Sequence, residues 1–167
     1  HHLKQDDRAK EYLNKALEIN PEYIDPKLNL AKIAYENNKL DKSLELFEEI
    51  EKMDPNNFYA IAFIGYIIYQ KGSKERGKKF LERAVKINKN FIEGIYLLAK
   101  VLMEEEDYET AIKYFNDILQ KNPNKREVRI LLGRAYRLSK NIDKAQSILK
   151  EALKTESTNP ELYLELS

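Results

Sequence analysis

The feature that most constrains this chain is an interval. A small residue returns at Ala31, Gly65, Ala99 and Gly133, each 34 positions after the last. Pro21 and Pro55 keep the same step, and Pro123 lies two steps beyond Pro55, with Lys89 at the intermediate position. An Asn or Asp precedes each of these sites (Asn20, Asp54, Asn88, Asn122), as expected where a helix ends and a turn begins. Inside the period the apolar residues are spaced for helices and not for strands. Ile95, Leu98 and Leu102 recur at three and four positions, and so do Ala111, Phe115, Ile118 and Leu119. At 167 residues the chain has room for one large domain or a series of small units, and the interval decides for the series.

Each period therefore holds two helices, expected at 26–37 and 41–53, 58–71 and 74–87, 92–105 and 108–121, and 126–139 and 142–155. Asp25 followed by Pro26 reads as an N-cap with proline in the first turn, and Ser73 after Gly72 reads as a second cap. Ala9, Leu13 and Ala16 match the second-helix columns, so residues 6–20 form half a unit before the first full one. Residues 160–167 open a further first helix, with Tyr163, Leu164 and Leu166 as its apolar pattern. Both ends thus fall in mid-repeat without a polar capping helix, as expected of an excerpt from a longer array. His1 and His2 read as the remnant of a purification tag.

Composition narrows the chemistry. The 29 basic and 28 acidic side chains leave a formal charge of +1, so no global field draws in nucleic acid or anionic lipid. With no cysteine, and no histidine beyond residues 1 and 2, thiolate and imidazole chemistry are missing, and neither a cofactor nor a metal is expected. The longest apolar run, Tyr59 to Tyr69, is too short to cross a bilayer. The expected location is cytoplasmic, without membrane insertion. Three superficial motifs carry little. Lys71 to Lys79 lacks the spacing of a phosphate loop, the Glu104 to Asp107 run cannot wrap a cation from one helix end, and Ser147 to Lys150 has no pocket around it.

The columns resemble the tetratricopeptide repeat. Leu30-Ala31, Ile64-Gly65, Leu98-Ala99 and Leu132-Gly133 fit its first helices. Ser43, Gly77, Ala111 and Ala145, then Phe47, Leu81, Phe115 and Leu149, fit its second helices, and Tyr108 and Tyr136 its aromatic positions. Full units span 24–57, 58–91, 92–125 and 126–159, with a second helix alone at 3–23 and the start of a first helix at 160–167. Two columns depart from the family: Lys27, Ile61, Ile95 and Arg129 stand where it often has tryptophan, and Ile50 and Ile118 replace an expected alanine. The resemblance implies an all-α fold, a right-handed α-α superhelix in which a solenoid of antiparallel helix pairs lines its concave face with first helices.

That geometry implies a groove for a peptide segment of a protein partner, and a non-catalytic adaptor or scaffold. Carried over by position, the groove residues are Lys32, Tyr35, Tyr59, Phe63, Tyr66, Tyr69, Tyr96, Lys100, Met103, Arg134 and Arg137. Tyrosine suits such a surface because it offers a large ring with a polar tip at low entropy cost. The same tyrosines would also serve as fillers between helices in a chain with 11 of them. The cations would meet an acidic group of the partner, or else be solvated charges balanced by Glu36, Glu93, Glu104 and Glu127. The family's clamp for a terminal carboxylate is not matched, since Leu28, Lys32, Phe63, Glu93 and Leu97 occupy its positions. Other readings are the recruitment arm of a larger enzyme, an RNA-binding helical repeat disfavoured by the missing basic stripe, and self-association through the uncapped ends.

Overall fold

In the computed structural model the backbone is described for residues 2–155 and the side chains for residues 8–153. The further first helix expected at 160–167 lies outside these residues. Nine helices and no strand occur among the described residues. They are α1 (His2–Ile19), α2 (Ile24–Glu36), α3 (Leu40–Met53), α4 (Phe58–Gln70), α5 (Lys74–Ile87), α6 (Ile92–Glu104), α7 (Tyr108–Lys121), α8 (Arg126–Leu138) and α9 (Ile142–Thr155). The helix periodicity is therefore met pair by pair, and the architecture is an all-α helical repeat. The chain divides into two compact units, His1–Asn90 with α1 to α5 and Phe91–Ser167 with α6 to α9.

The helix ends show what sets the pattern. Within each pair the corner residue takes a left-handed backbone, with φ of 56° at Asn38, 97° at Gly72, 63° at Glu106 and 64° at Lys140. These four sites repeat the interval of the sequence. At each one the next amide closes a six-residue ring onto the first helix: Lys39 to Ala34 O, Ser73 to Ile68 O, Asp107 to Leu102 O and Asn141 to Tyr136 O, at 2.8 to 3.1 Å. This ending satisfies carbonyls that the helix would otherwise leave without partners. Asp25 is not the cap of α2; Tyr23 holds that position, and Asp25 lies in the first turn, where a carboxylate meets the positive end of the helix. Ser73 is the N-cap residue of α5, yet its side chain makes no capping bond. Side-chain caps come from Asn57, which accepts from Ala60 N at 3.1 Å, Asp107, which accepts from Thr110 N at 3.2 Å, and Asn141, which accepts from Lys144 N at 3.4 Å.

In the first unit, α2 packs on α3 and α4 on α5, while α1 and α3 each pack on the first helix that follows. The close approaches fall at the small-residue columns. The Ser43 hydroxyl donates to Ala31 O at 2.8 Å across the α2/α3 joint, which satisfies a fully buried polar side chain. At the α4/α5 joint Gly65 and Gly77 face each other. A Cβ on Gly77 would lie 2.5 Å from Gly65 O, and one on Gly65 would lie 2.7 Å from Gly77 O. Phe47 and Leu81, with Ile50 and Ala84, fill the seams and are fully buried.

The second unit repeats the scheme with α6 on α7 and α8 on α9, and α7 packs on α8. The small residues of its columns, Ala99, Ala111, Gly133 and Ala145, are all buried. Phe115 and Ile118 are fully buried, and Leu149 and Ala152 cluster with Ile130 and Leu153. A Cβ on Gly133 would meet the Leu149 side chain at 2.5 Å, and not backbone. The alternating bulk of Ile50, Ala84, Ile118 and Ala152 is thus a packing adjustment inside one fold.

Two glycine substitutions separate the two roles of glycine here. Gly72→Ala adds a carbon with no atom within 4 Å, so its expected cost of about 1 kcal/mol comes from the left-handed backbone alone. Gly77→Ala should cost more, about 1–3 kcal/mol, because backbone must move. Urea unfolding of the two variants gives the order, and equal costs would mean that the α4/α5 joint is not closely packed.

Candidate functional site

Each unit has its own first-helix face, and the two differ. In the first unit, Lys32 and Tyr35 of α2 and Tyr59 of α4 are half-buried. Lys32 Nζ sits 4.1 Å from the centre of the Tyr59 ring, a cation–π contact that holds both side chains at the surface. The Tyr35 ring meets Phe63 edge-on at 5.2 Å and Tyr66 at 6.3 Å.

Phe63, Tyr66 and Tyr69 are not groove-lining residues. Their exposures are 4%, 3% and 3%, and Phe63 stacks on Phe47 at 5.0 Å with the rings 13° apart. The reason lies in α4 as a whole. Every residue from Ala60 to Tyr69 is buried, because the helix is apolar around its full circumference and has no side to turn toward water. The uncharged stretch from Tyr59 to Tyr69 carried that signal in the sequence. A helix face inferred from repeat position ignored the missing polar face.

In the second unit, residues expected on the first-helix face do converge. A cavity of about 260 Å³ is lined by Tyr96 and Lys100 of α6 and by Glu127, Ile130, Leu131 and Arg134 of α8. The Tyr96 hydroxyl donates to Glu127 Oε1 and ties the two first helices together. Lys100 Nζ stands 5.7 Å from the centre of the Tyr96 ring. Ile130 is buried and gives the cavity an apolar wall, while Lys100 and Arg134 are half-buried. Met103 is half-buried and Arg137 exposed, and neither lines the cavity. Glu127, read from sequence as a counter-charge, is instead a wall of the site and the acceptor for Tyr96.

The opening thus combines two cations, one carboxylate, a ring edge and an aliphatic wall, a lining with a net positive charge that can take a carboxylate beside an apolar side chain. Among the described residues no group of three or more acidic or histidine side chains could hold a metal ion, and no helix is long and apolar enough to cross a membrane.

Comparison with known proteins fits this architecture. A tetratricopeptide repeat model matches residues 4–61 and 102–166, and a second model of the same repeat matches residues 59–91. The chain belongs to the tetratricopeptide repeat family. No curated protein matches it. Among solved structures it is similar to YrrB, a tetratricopeptide repeat protein with an unusual peptide-binding site, at 22% identity and a TM-score of 0.76, over 94% of this chain and 81% of that one. It is also similar to MamA, at 20% identity and a TM-score of 0.71 over 93% and 85% of the two chains. MamA from Desulfovibrio magneticus RS-1 gives 16% identity and a TM-score of 0.72 over 93% and 88%. At these identities the likeness is one of fold.

Burial makes a direct prediction for the tyrosines. Tyr66→Ala should destabilise the chain by about 3 kcal/mol, as for other large aromatics removed from a core. Tyr59→Ala should cost less than about 1 kcal/mol, the range of an exposed cation–π contact. Thermal melting followed by circular dichroism distinguishes the two, and similar losses would place Tyr59 in the core as well.

Proposed function

We propose that this chain is a non-catalytic protein-interaction scaffold that holds a peptide segment of a partner against its first-helix faces. Tetratricopeptide repeat domains are protein-interaction modules, and the reading here is finer in naming the contact. The cavity of Tyr96, Lys100, Glu127, Ile130, Leu131 and Arg134 carries it. Its cations suit an aspartate or glutamate of the partner, and its aliphatic wall suits a neighbouring apolar side chain. Lys100 and Arg134 share the opening with Glu127, which accepts from Tyr96. In the first unit, Lys32 with Tyr59 and Tyr35 offers a separate cation and ring edge of similar chemistry. YrrB, with its peptide-binding site, is a precedent for peptide recognition on this fold.

The test is an arrayed panel of random peptides read against the whole chain and against a Lys100→Ala/Arg134→Ala variant. Selected peptides should share an acidic residue beside an aliphatic one. The double variant should bind them about 10- to 100-fold more weakly, the range for two charge-assisted contacts. Melting should shift little, because partly exposed charges contribute little to stability. Peptides without an acidic residue, or equal affinity in the double variant, would sink the proposal.

A further inference from the structure

We propose that a second cavity, on the back of α2, is a binding site for an aliphatic monocarboxylate. It lies between α1, α2 and α3 in the first unit, has a volume of about 430 Å³, and is lined on its apolar side by Leu17, Pro21, Leu30, Ile33, Ala34 and Leu46. Volumes of this order are usual for sites that hold small molecules. It is separate from the peptide-facing surface, because the α2 residues that line it exclude Lys32 and Tyr35. On α1 it uses Lys10, Asn14 and Leu17, and not the column residues Ala9, Leu13 and Ala16.

The repeat itself explains why the space exists. Two first-helix columns seven residues apart share one helix face. They read Ile61 and Ile68, Ile95 and Leu102, and Arg129 and Tyr136 in the later repeats, but Lys27 and Ala34 in the first. Ile61, Ile68, Ile95 and Leu102 are buried, so in two of those repeats large apolar side chains fill both columns. The first repeat has a methyl group at one of the two columns and a lysine at the other. A chain of methylene groups would take the place of the side chains that the other units supply.

Charge chooses the head group. Lys10, Lys27, Lys39 and Lys42 line the cavity against Glu49 as its acidic residue. Lys27 is nearly buried, with 12% of its side chain exposed, and is ion-paired to Glu49 at 2.6 Å. Lys42 also pairs with Glu45 at 2.8 Å, but both side chains are more than half exposed, and such a pair yields readily to a better anion. Lys39 is exposed on the rim. Four lysines against one carboxylate disfavour a cation at this rim and favour an anion over a neutral chain. An anionic head on an aliphatic tail satisfies the rim and the walls together. A small molecule with an aliphatic chain suits an opening of this volume walled by Leu17, Leu30, Ile33, Ala34 and Leu46.

The experiment is calorimetric titration of the whole chain with octanoate, decanoate and 1-decanol. Decanoate should bind at one site, with affinity rising about fourfold per added methylene relative to octanoate. The neutral alcohol should bind about tenfold more weakly, for want of a charge-assisted contact. Ala34→Ile installs the residue found one repeat later; it should abolish decanoate binding and raise the melting temperature. Lys39→Glu should weaken decanoate and leave 1-decanol unchanged. Should Ala34→Ile fail to fold, methyl chemical shifts of the unaltered chain give the answer: decanoate should move Leu17, Leu30, Ile33 and Leu46. No binding, equal affinity for the alcohol, or shifts confined to the second unit would overturn the proposal. So would light scattering that shows a dimer dispersed by Ala34→Ile, which would assign the cavity to a second copy of the chain.

Discussion

Two helices can lie against each other only as closely as their largest facing side chains allow, and this limit shapes every pair in the chain. Gly65 and Gly77 remove the side chain from both partners, so carbonyl groups come within the distance that a Cβ would otherwise occupy. Ala31 and Ser43 reach a comparable arrangement differently, with the serine hydroxyl spanning the joint to a carbonyl. Large residues such as Phe47 and Phe115 then fill the space that the crossing leaves open at the seam. Within each compact unit a second helix also packs on the first helix that follows it, α1 on α2, α3 on α4 and α7 on α8, so burial there is shared between neighbouring pairs.

The fold was legible in the sequence because its rules are local and repeated. Small, aromatic and proline columns recur at one interval, and four occurrences of a pattern average out the exceptions at Lys89 and Lys27. Helix corners were less legible. Glu106 and Lys140 occupy left-handed positions that composition would assign to glycine or asparagine, and only their alignment with Gly72 and Asn38 identifies them. Asp25 misled for a related reason, since its side chain suits a cap but the helix starts two residues earlier than expected, at Ile24.

The candidate site divided along the same line. Tyr96, Lys100 and Arg134 come together as position in the repeat implies, because the amphipathic α6 and α8 each keep a polar side. Phe63, Tyr66 and Tyr69 occupy equivalent positions on α4 and are core, because that helix has no polar side to present. Repeat position states which way a side chain points relative to its own pair. Whether that direction is solvent depends on how much apolar surface the helix must hide, and a column alignment does not contain this quantity. The cavity behind α2 was invisible for the opposite reason: it is defined by bulk absent from Ala34, and absence has no pattern until the other units are set beside it.

The wholly apolar character of α4 also bears on how the chain is made. During synthesis from the N-terminus, α4 leaves the ribosome while α5, which carries Gly77 and completes its joint, is still inside the exit tunnel. For that interval a helix with Ile61, Ile64, Ile67 and Ile68 has only α3 against which to hide. Exposed nascent segments of this composition are what chaperones capture and what misassembles between neighbouring chains. The lysines of the α4/α5 corner and of early α5, Lys71, Lys74, Lys78 and Lys79, follow immediately in the sequence. Placed there, they act as charged gatekeepers that keep the emerging apolar segment from pairing with its own kind.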